Sequence, residues 1–178
     1  MVNTVGSYIV SKGYTSQISV AAANDIELLY NKADVTKAWV NGYDATASFE
    51  HPVYTVGACE GCPYTGRPSS VPSNGWTYDD LWYVHYKAFS ARSLPQVYAA
   101  CCSASQWQRF ARSVYTTHAG ESYRDITFSG TLTQFWACAD RADDFPCAPG
   151  TQNQPEDGWT QLLTELNTDA ATAQQHLA

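Results

Sequence analysis

Charge is what this sequence has least of. Only 15% of its residues are Asp, Glu, Lys or Arg, against the quarter usual in globular domains. Lys and Arg number 10 against 17 acidic residues, leaving a formal charge of −7 and a pI near 4.8. No basic cluster occurs, so neither a nucleic-acid backbone nor an anionic membrane surface is an expected partner. Long apolar runs are missing too, and none approaches the roughly 18–20 residues needed to span a bilayer. There is no Gly-x-Ser-x-Gly elbow for a serine nucleophile and no glycine-rich dinucleotide or phosphate loop. These absences remove the commoner enzyme classes, and no cofactor is expected. No repeat or low-complexity linker divides the chain, so residues 1–178 read as a single domain.

What the sequence does have is aromatic residues, 6 Trp and 12 Tyr among them. Tyr, Trp, Asn, Gln, Ser and Thr in place of Lys and Glu suit a secreted protein that handles sugars or other polar ligands. Six cysteines point to an oxidising compartment. The opening "MVNTVGSYIVSKGY" lacks the basic segment and apolar stretch of a signal peptide. The expectation is therefore an exported protein seen as a mature form or as a fragment of something longer.

Helix and strand signals alternate along the chain. Val2, Val5, Gly6 and Ile9 recur at helical spacing, with Gly13 placed to end that helix. Residues 18–23 read as a strand. Asp34 is placed to cap a helix whose core stripe is Val35, Ala38, Trp39 and Gly42. "HPVYTVGA" is a short strand with Pro52 near its start, and "CEGCPYTGRPSSVPSNG" is a loop. "LWYVHYKA", "LPQVYAA" and "DITFSGTLTQFWA" read as further strands. Ser103 with Gln106 forms a capping box for a helix facing inward through Trp107, Phe110, Ala111 and Val114. After a loop over residues 140–154, a last helix presents Trp159, Leu162, Leu163 and Leu166. Trp39, Trp107 and Trp159 all sit on such stripes and read as core. The alternation predicts an α/β fold, either a partial (β/α) barrel or an open, mostly parallel sheet with flanking helices. A full eight-unit barrel needs roughly 200–250 residues, and this chain carries about half the units.

Chemistry concentrates at the end of the first strand, in "NDIEL". Strand alternation puts Asp25 and Glu27 on one face, roughly 6–7 Å apart along the chain. The bland alternative is a polar strand end whose carboxylates cap the next helix or pair with Lys32. The cysteines offer Cys59-x-x-Cys62, half a zinc site without a matching second pair. A redox Cys-x-x-Cys would open a helix after a strand, whereas this one lies in a Pro/Gly loop. Disulfides are the better reading, Cys59–Cys62 as a tight clip and Cys138–Cys147 closing its loop, and no metal is expected. Cys101 and Cys102 are left to each other, to a missing part, or free.

The acidic strand end resembles the Asp-x-Glu strand of glycoside-hydrolase-like barrels, including the family 25 lysozyme type. More fully, "GSYIVSKGY", "NDIEL", "KAWVNGY", "GACEGC", "DLWYV" and "LTQFWAC" occur in the order found in the C-terminal portion of secreted bacterial glycoside-hydrolase-like proteins of undefined function. The resemblance runs nearly end to end. It implies a barrel rim carrying Glu27 as general acid and Asp25 as the residue that positions or tunes it. The early strands where such families place their first active-site aspartate are absent. Tyr86 or His85 on one strand, and Gln134 and Trp136 on another, are the candidates for contacting sugar; packing between sheet and helix is the alternative for each. The implied ligand is a carbohydrate or cell-wall polymer, hydrolysed or, on a degenerate scaffold, only bound. A second chain or a missing N-terminal segment would complete the barrel.

Overall fold

The computed structural model describes residues 1–47, 51–139 and 151–173. Its frame is a parallel sheet of three strands in the order β1–β2–β3, where β1 is Ala22–Ile26, β2 Val53–Gly57 and β3 Ala91–Pro95. Sequential strands that pair in parallel require a crossover between each pair. Here the first is the helix α2 (Ala33–Thr46), and the second is α3 (Tyr78–Trp82) running into a π-helical turn over Tyr83–Lys87. Helix α1 (Val2–Ser11) precedes the sheet, and α4 (Ser103–Thr117), α5 (Phe135–Ala139) and α6 (Pro155–Leu166) follow it. The mixed α/β architecture is thus an open sheet with flanking helices, and no barrel closes among the described residues.

Register explains which face is core. Ala22, Val53 and Ala91 share a row, as do Asn24, Thr55 and Ser93, then Ile26, Gly57 and Pro95. All residues these rows contribute from β2 and β3 are buried, together with Ile26. The helical layer completes this core with Val40, Leu81, Trp107, Phe110, Leu162 and Leu166. The opposite face carries Ala23, Tyr54 and Arg92, then Asp25, Val56 and Leu94, and every one of these stays half-buried or exposed. Burying Trp107 and Phe110, both fully enclosed, contributes about 1.5–3 kcal/mol each.

Several sequence expectations are corrected. The first strand begins at Ala22 rather than at residue 18, so Asp25 lies inside it. "LWYVHYKA" is helical: Thr77 and Asp80 form a capping box, and Tyr78, Leu81, Trp82 and His85 follow the helical i, i+3, i+4, i+7 spacing that outweighs their aromatic strand preference. Helix α2 is capped at Lys32, with Asp34 in its first turn. It buries Thr36 and Val40, which turns the expected core stripe outward: Val35 is 63% and Trp39 47% exposed. Trp159 also lies at the surface, whereas Trp107 is core. The helix α4 cap is Cys102; the Ser103 hydroxyl instead accepts from the Ala99 N–H at 3.2 Å.

"DITFSGTLTQFWA" forms only two single parallel bridges beside β3, Ser93 to Phe128 and Gln96 to Leu132. Three residue steps on β3 face four on this segment, so one extra residue bulges out. Gly130, at φ +141, lies in the bulge. The segment then turns into α5 instead of continuing as strand. The Cys59–Cys62 disulfide is formed, with its Cα atoms 5.4 Å apart, and Cys101 pairs with Cys102. Cys138 is disulfide-bonded; its expected partner Cys147 lies outside the described residues. No helix among the described residues is long and apolar enough to cross a membrane.

Candidate functional site

The C-terminal ends of parallel strands are where open α/β sheets hold ligands, and here three loops meet at that end. The loop after β1 starts at Glu27, which continues the outward-facing row of Asp25. Its turn is closed by Tyr30 and Asn31 N–H groups donating to the Glu27 carbonyl at 3.0 and 2.8 Å. The Glu27 N–H in turn donates to Asn31 Oδ1 at 2.9 Å. The loop after β2 pins this turn from outside. Trp76 Nε1 donates to the Asn31 carbonyl at 2.8 Å, and Asn74 Nδ2 donates to the Leu28 carbonyl at 3.1 Å. The acid thus stands on a turn braced at both ends.

Three residues that sequence reading passed over complete the cluster. Gln96, one residue past β3 and buried, donates from Nε2 to Asp25 Oδ1 at 2.9 Å and lies close enough to Glu27 to lower its pKa. Glu60, inside the Cys59–Cys62 clip, accepts from the Leu29 N–H at 2.8 Å, which brings its carboxyl beside that of Glu27. Tyr98, two residues beyond Gln96, feels the charges of both Asp25 and Glu27 and hydrogen-bonds Gln134. Gln96 and Tyr98 alternate as Asp25 and Glu27 do, a signal readable in "PQVY" once β3 is known to end at Pro95. Glu60 carried only the signal of its place near the start of the loop after a strand.

The electrostatics run one way. Desolvation raises the Glu27 pKa, the hydrogen bond and charge of Glu60 raise it further, and the Gln96 amide opposes them. Asp25 is exposed as a residue, yet desolvation at the strand end and then the Glu27 charge raise its pKa against the same amide. Burial pushes the Tyr98 phenol up to about 12, reinforced by both carboxylates, so it is a hydrogen-bond donor at neutral pH. Neither Asp25 nor Glu27 forms an ion pair among the described residues. The alternative use of these acids as caps or as partners of Lys32 is not what the structure has. A hollow of about 230 Å³ beside Asp25 is lined by Asn31, Val35, Thr36 and the exposed Trp39.

Of the sugar-contact candidates, Gln134 joins the cluster through Tyr98. Trp136, in α5 two residues on, is 57% exposed. They do not share a strand face, because the chain is helical there. His85 is fully buried beneath the sheet, edge-on to Trp107 at 5.1 Å, and burial pushes its pKa down to about 4. It is core, for the same helical reason that removed its strand. Tyr86 lies at the opposite end of the strands, lining a cavity of about 390 Å³ with Lys87, Phe89, Arg92 and Tyr123. No group of His, Cys, Asp and Glu among the described residues is arranged to hold a metal. No protein-family model, no curated protein and no solved structure matches this chain.

Proposed function

We propose that this chain is a secreted, glycoside-hydrolase-like domain acting on extracellular polysaccharide or peptidoglycan. The observation that carries the reading is the raised Glu27 carboxyl, held between Asp25, Glu60 and Gln96 at the C-terminal end of a parallel sheet. A carboxyl whose pKa is raised can protonate a glycosidic oxygen, while a second, ionised carboxyl stabilises the developing positive charge. Glu27 is the proton donor in this scheme. Asp25 tunes it and faces the substrate, and Tyr98 with Gln134 supplies hydrogen bonds to sugar hydroxyls. Trp39 and Trp136 are the exposed rings on which a sugar can stack. The disulfides agree with an oxidising, extracellular setting. On this reading, the free edge of β1 is where further barrel strands, from a second chain or an N-terminal segment, would add.

The shallow hollow beside Asp25 and Trp39 favours a second reading, a wall- or surface-binding module without turnover. Release of reducing sugar from a panel of wall and plant polysaccharides separates the two. Turnover by the wild type that Glu27→Gln abolishes is expected. Retention of the polymer on immobilised protein with no release from any of them would replace the first reading with the second.

A further inference from the structure

The Cys59–Cys62 disulfide does more than close a loop, because of what sits between its two cysteines. The four residues Cys59, Glu60, Gly61 and Cys62 form one tight turn, closed by the Cys62 N–H donating to the Cys59 carbonyl at 3.0 Å. Both cysteines are buried, at 2% and 0% exposure. Gly61 takes φ +76, and a Cβ there would lie 2.6 Å from the Val71 carbonyl oxygen and 2.9 Å from the Ser73 nitrogen. Only glycine fits that space. The Ser73 N–H donates to the Glu60 carbonyl at 2.8 Å, and Gln106 Nε2 holds the Cys62 carbonyl at 3.0 Å. The carbonyls of Cys59, Glu60 and Cys62 are thereby each held by a donor. One carboxyl oxygen of Glu60 is taken by the Leu29 N–H, and the carboxyl meets that of Glu27.

Two carboxyl groups held this close repel when both are ionised, so each makes the protonated form of the other easier to keep. We propose that Glu60 is a positioning residue for Glu27, and that the Cys59–Cys62 disulfide is the device that keeps it there. Glu60 touches no reacting atom; it acts by making the protonated state of its neighbour the comfortable one. Without the disulfide the turn loses its covalent closure, Glu60 is free to move off, and Glu27 returns toward an ordinary glutamate. The clip thus sets the acidity of the site. This inference rests on reading Glu27 as the proton donor.

The test is a pH titration of glutamate side-chain 13C carboxyl signals by NMR, with Glu27 assigned from Glu27→Gln. In Glu60→Gln the Glu27 midpoint is expected to fall by about one pH unit, the effect of removing one adjacent like charge and offering an amide donor instead. Cys59→Ser/Cys62→Ser should produce a comparable fall, and adding Glu60→Gln to it no further one. An unchanged midpoint in Glu60→Gln overturns the positioning role. An unchanged midpoint in a folded double-serine variant overturns the role of the disulfide. If that variant does not fold, Gly61→Ala, which displaces the turn with the disulfide intact, must lower the midpoint or the clip is not the device. A raised wild-type midpoint in a protein without turnover sinks the hydrolase reading alone; turnover with a midpoint indifferent to Glu60 sinks this inference alone.

Discussion

The two ends of the same three strands treat charge in opposite ways. At the N-terminal end Asp44, Arg92 and Lys87 are each satisfied locally. Asp44 of α2 accepts the Phe89 and Ser90 N–H groups at 3.0 and 3.1 Å and the Ser90 hydroxyl as well. Arg92 donates to the Phe89 and Ala91 carbonyls at 3.3 and 2.8 Å, and the Lys87 amine lies 4.5 Å from the centre of the Trp82 ring. At the C-terminal end Asp25, Glu27 and Glu60 face one another with a neutral amide between them. The first arrangement lowers energy and holds the sheet together. The second keeps carboxyls in tension, and such tension is where acid–base chemistry tends to be found. On the proposed function, the difference separates the structural end of this sheet from its chemical end.

The sharpest way to break the comparison is at Glu27. Glu27→Gln should lower kcat/KM for polysaccharide hydrolysis by about 10²–10⁴, the usual contribution of a general acid, with the urea midpoint not reduced. Asp44→Ala works on the other end and should do the reverse. It leaves two backbone donors and a hydroxyl without their acceptor, costing about 1–3 kcal/mol in urea unfolding, with hydrolysis per folded molecule unchanged. Gln96→Leu comes next, at about 1 kcal/mol, and it carries a pH signature. The amide lowers the pKa values of Asp25 and Glu27, so its loss moves both limbs of the pH–rate profile upward, the acid limb through Asp25 and the alkaline limb through Glu27.

The same variant tests the sign of the linkage. Both carboxyls have folded pKa values above their unfolded ones, so the fold disfavours their ionised forms. Their contribution to stability is fullest below the unfolded pKa and declines as pH rises through the folded pKa. Gln96→Leu should steepen that decline relative to wild type in urea midpoints taken across the acid range. The smallest effect belongs to Lys87→Ala with Arg92→Ala. These exposed side chains should shift stability by no more than about 0.5 kcal/mol and leave hydrolysis untouched. A large loss of turnover there would erase the distinction between the two ends.

The sequence made the α/β character, the two late helices and the Asp25–Glu27 pair legible, because helical stripes and strand alternation are local signals. Phe110 and Val114 fell inward as their spacing required. What stayed hidden depends on neighbours distant in sequence. The stripe through Val35 and Trp39 looks like a core stripe on its own; only the position of the sheet shows that Thr36 and Val40 are the inward residues. Tyr83 to Tyr86 read as strand through aromatic content, which the Thr77 capping box overrode. Gln96 reaches Asp25 across 71 residues of chain and Glu60 reaches Leu29 across 31, and no local pattern announces either contact. His85 reads as a rim residue only by the parity of a strand, and the chain there is helical.

One consequence follows for handling the protein. Among the described residues strand β1 is paired on one side only, so its outer edge offers N–H and C=O groups to any extended peptide that approaches. Nearby stand the outward side chains Val35 and Trp39. Natural sheets guard such an edge with a charge, and the charge on this one is Asp25. The residue that faces the substrate in the proposed chemistry is thus also the sentry of the strand, and Asp25→Asn would reduce solubility at high concentration along with activity. A loss of signal in that variant has to be measured on the monomer fraction after size-exclusion chromatography before it is credited to catalysis.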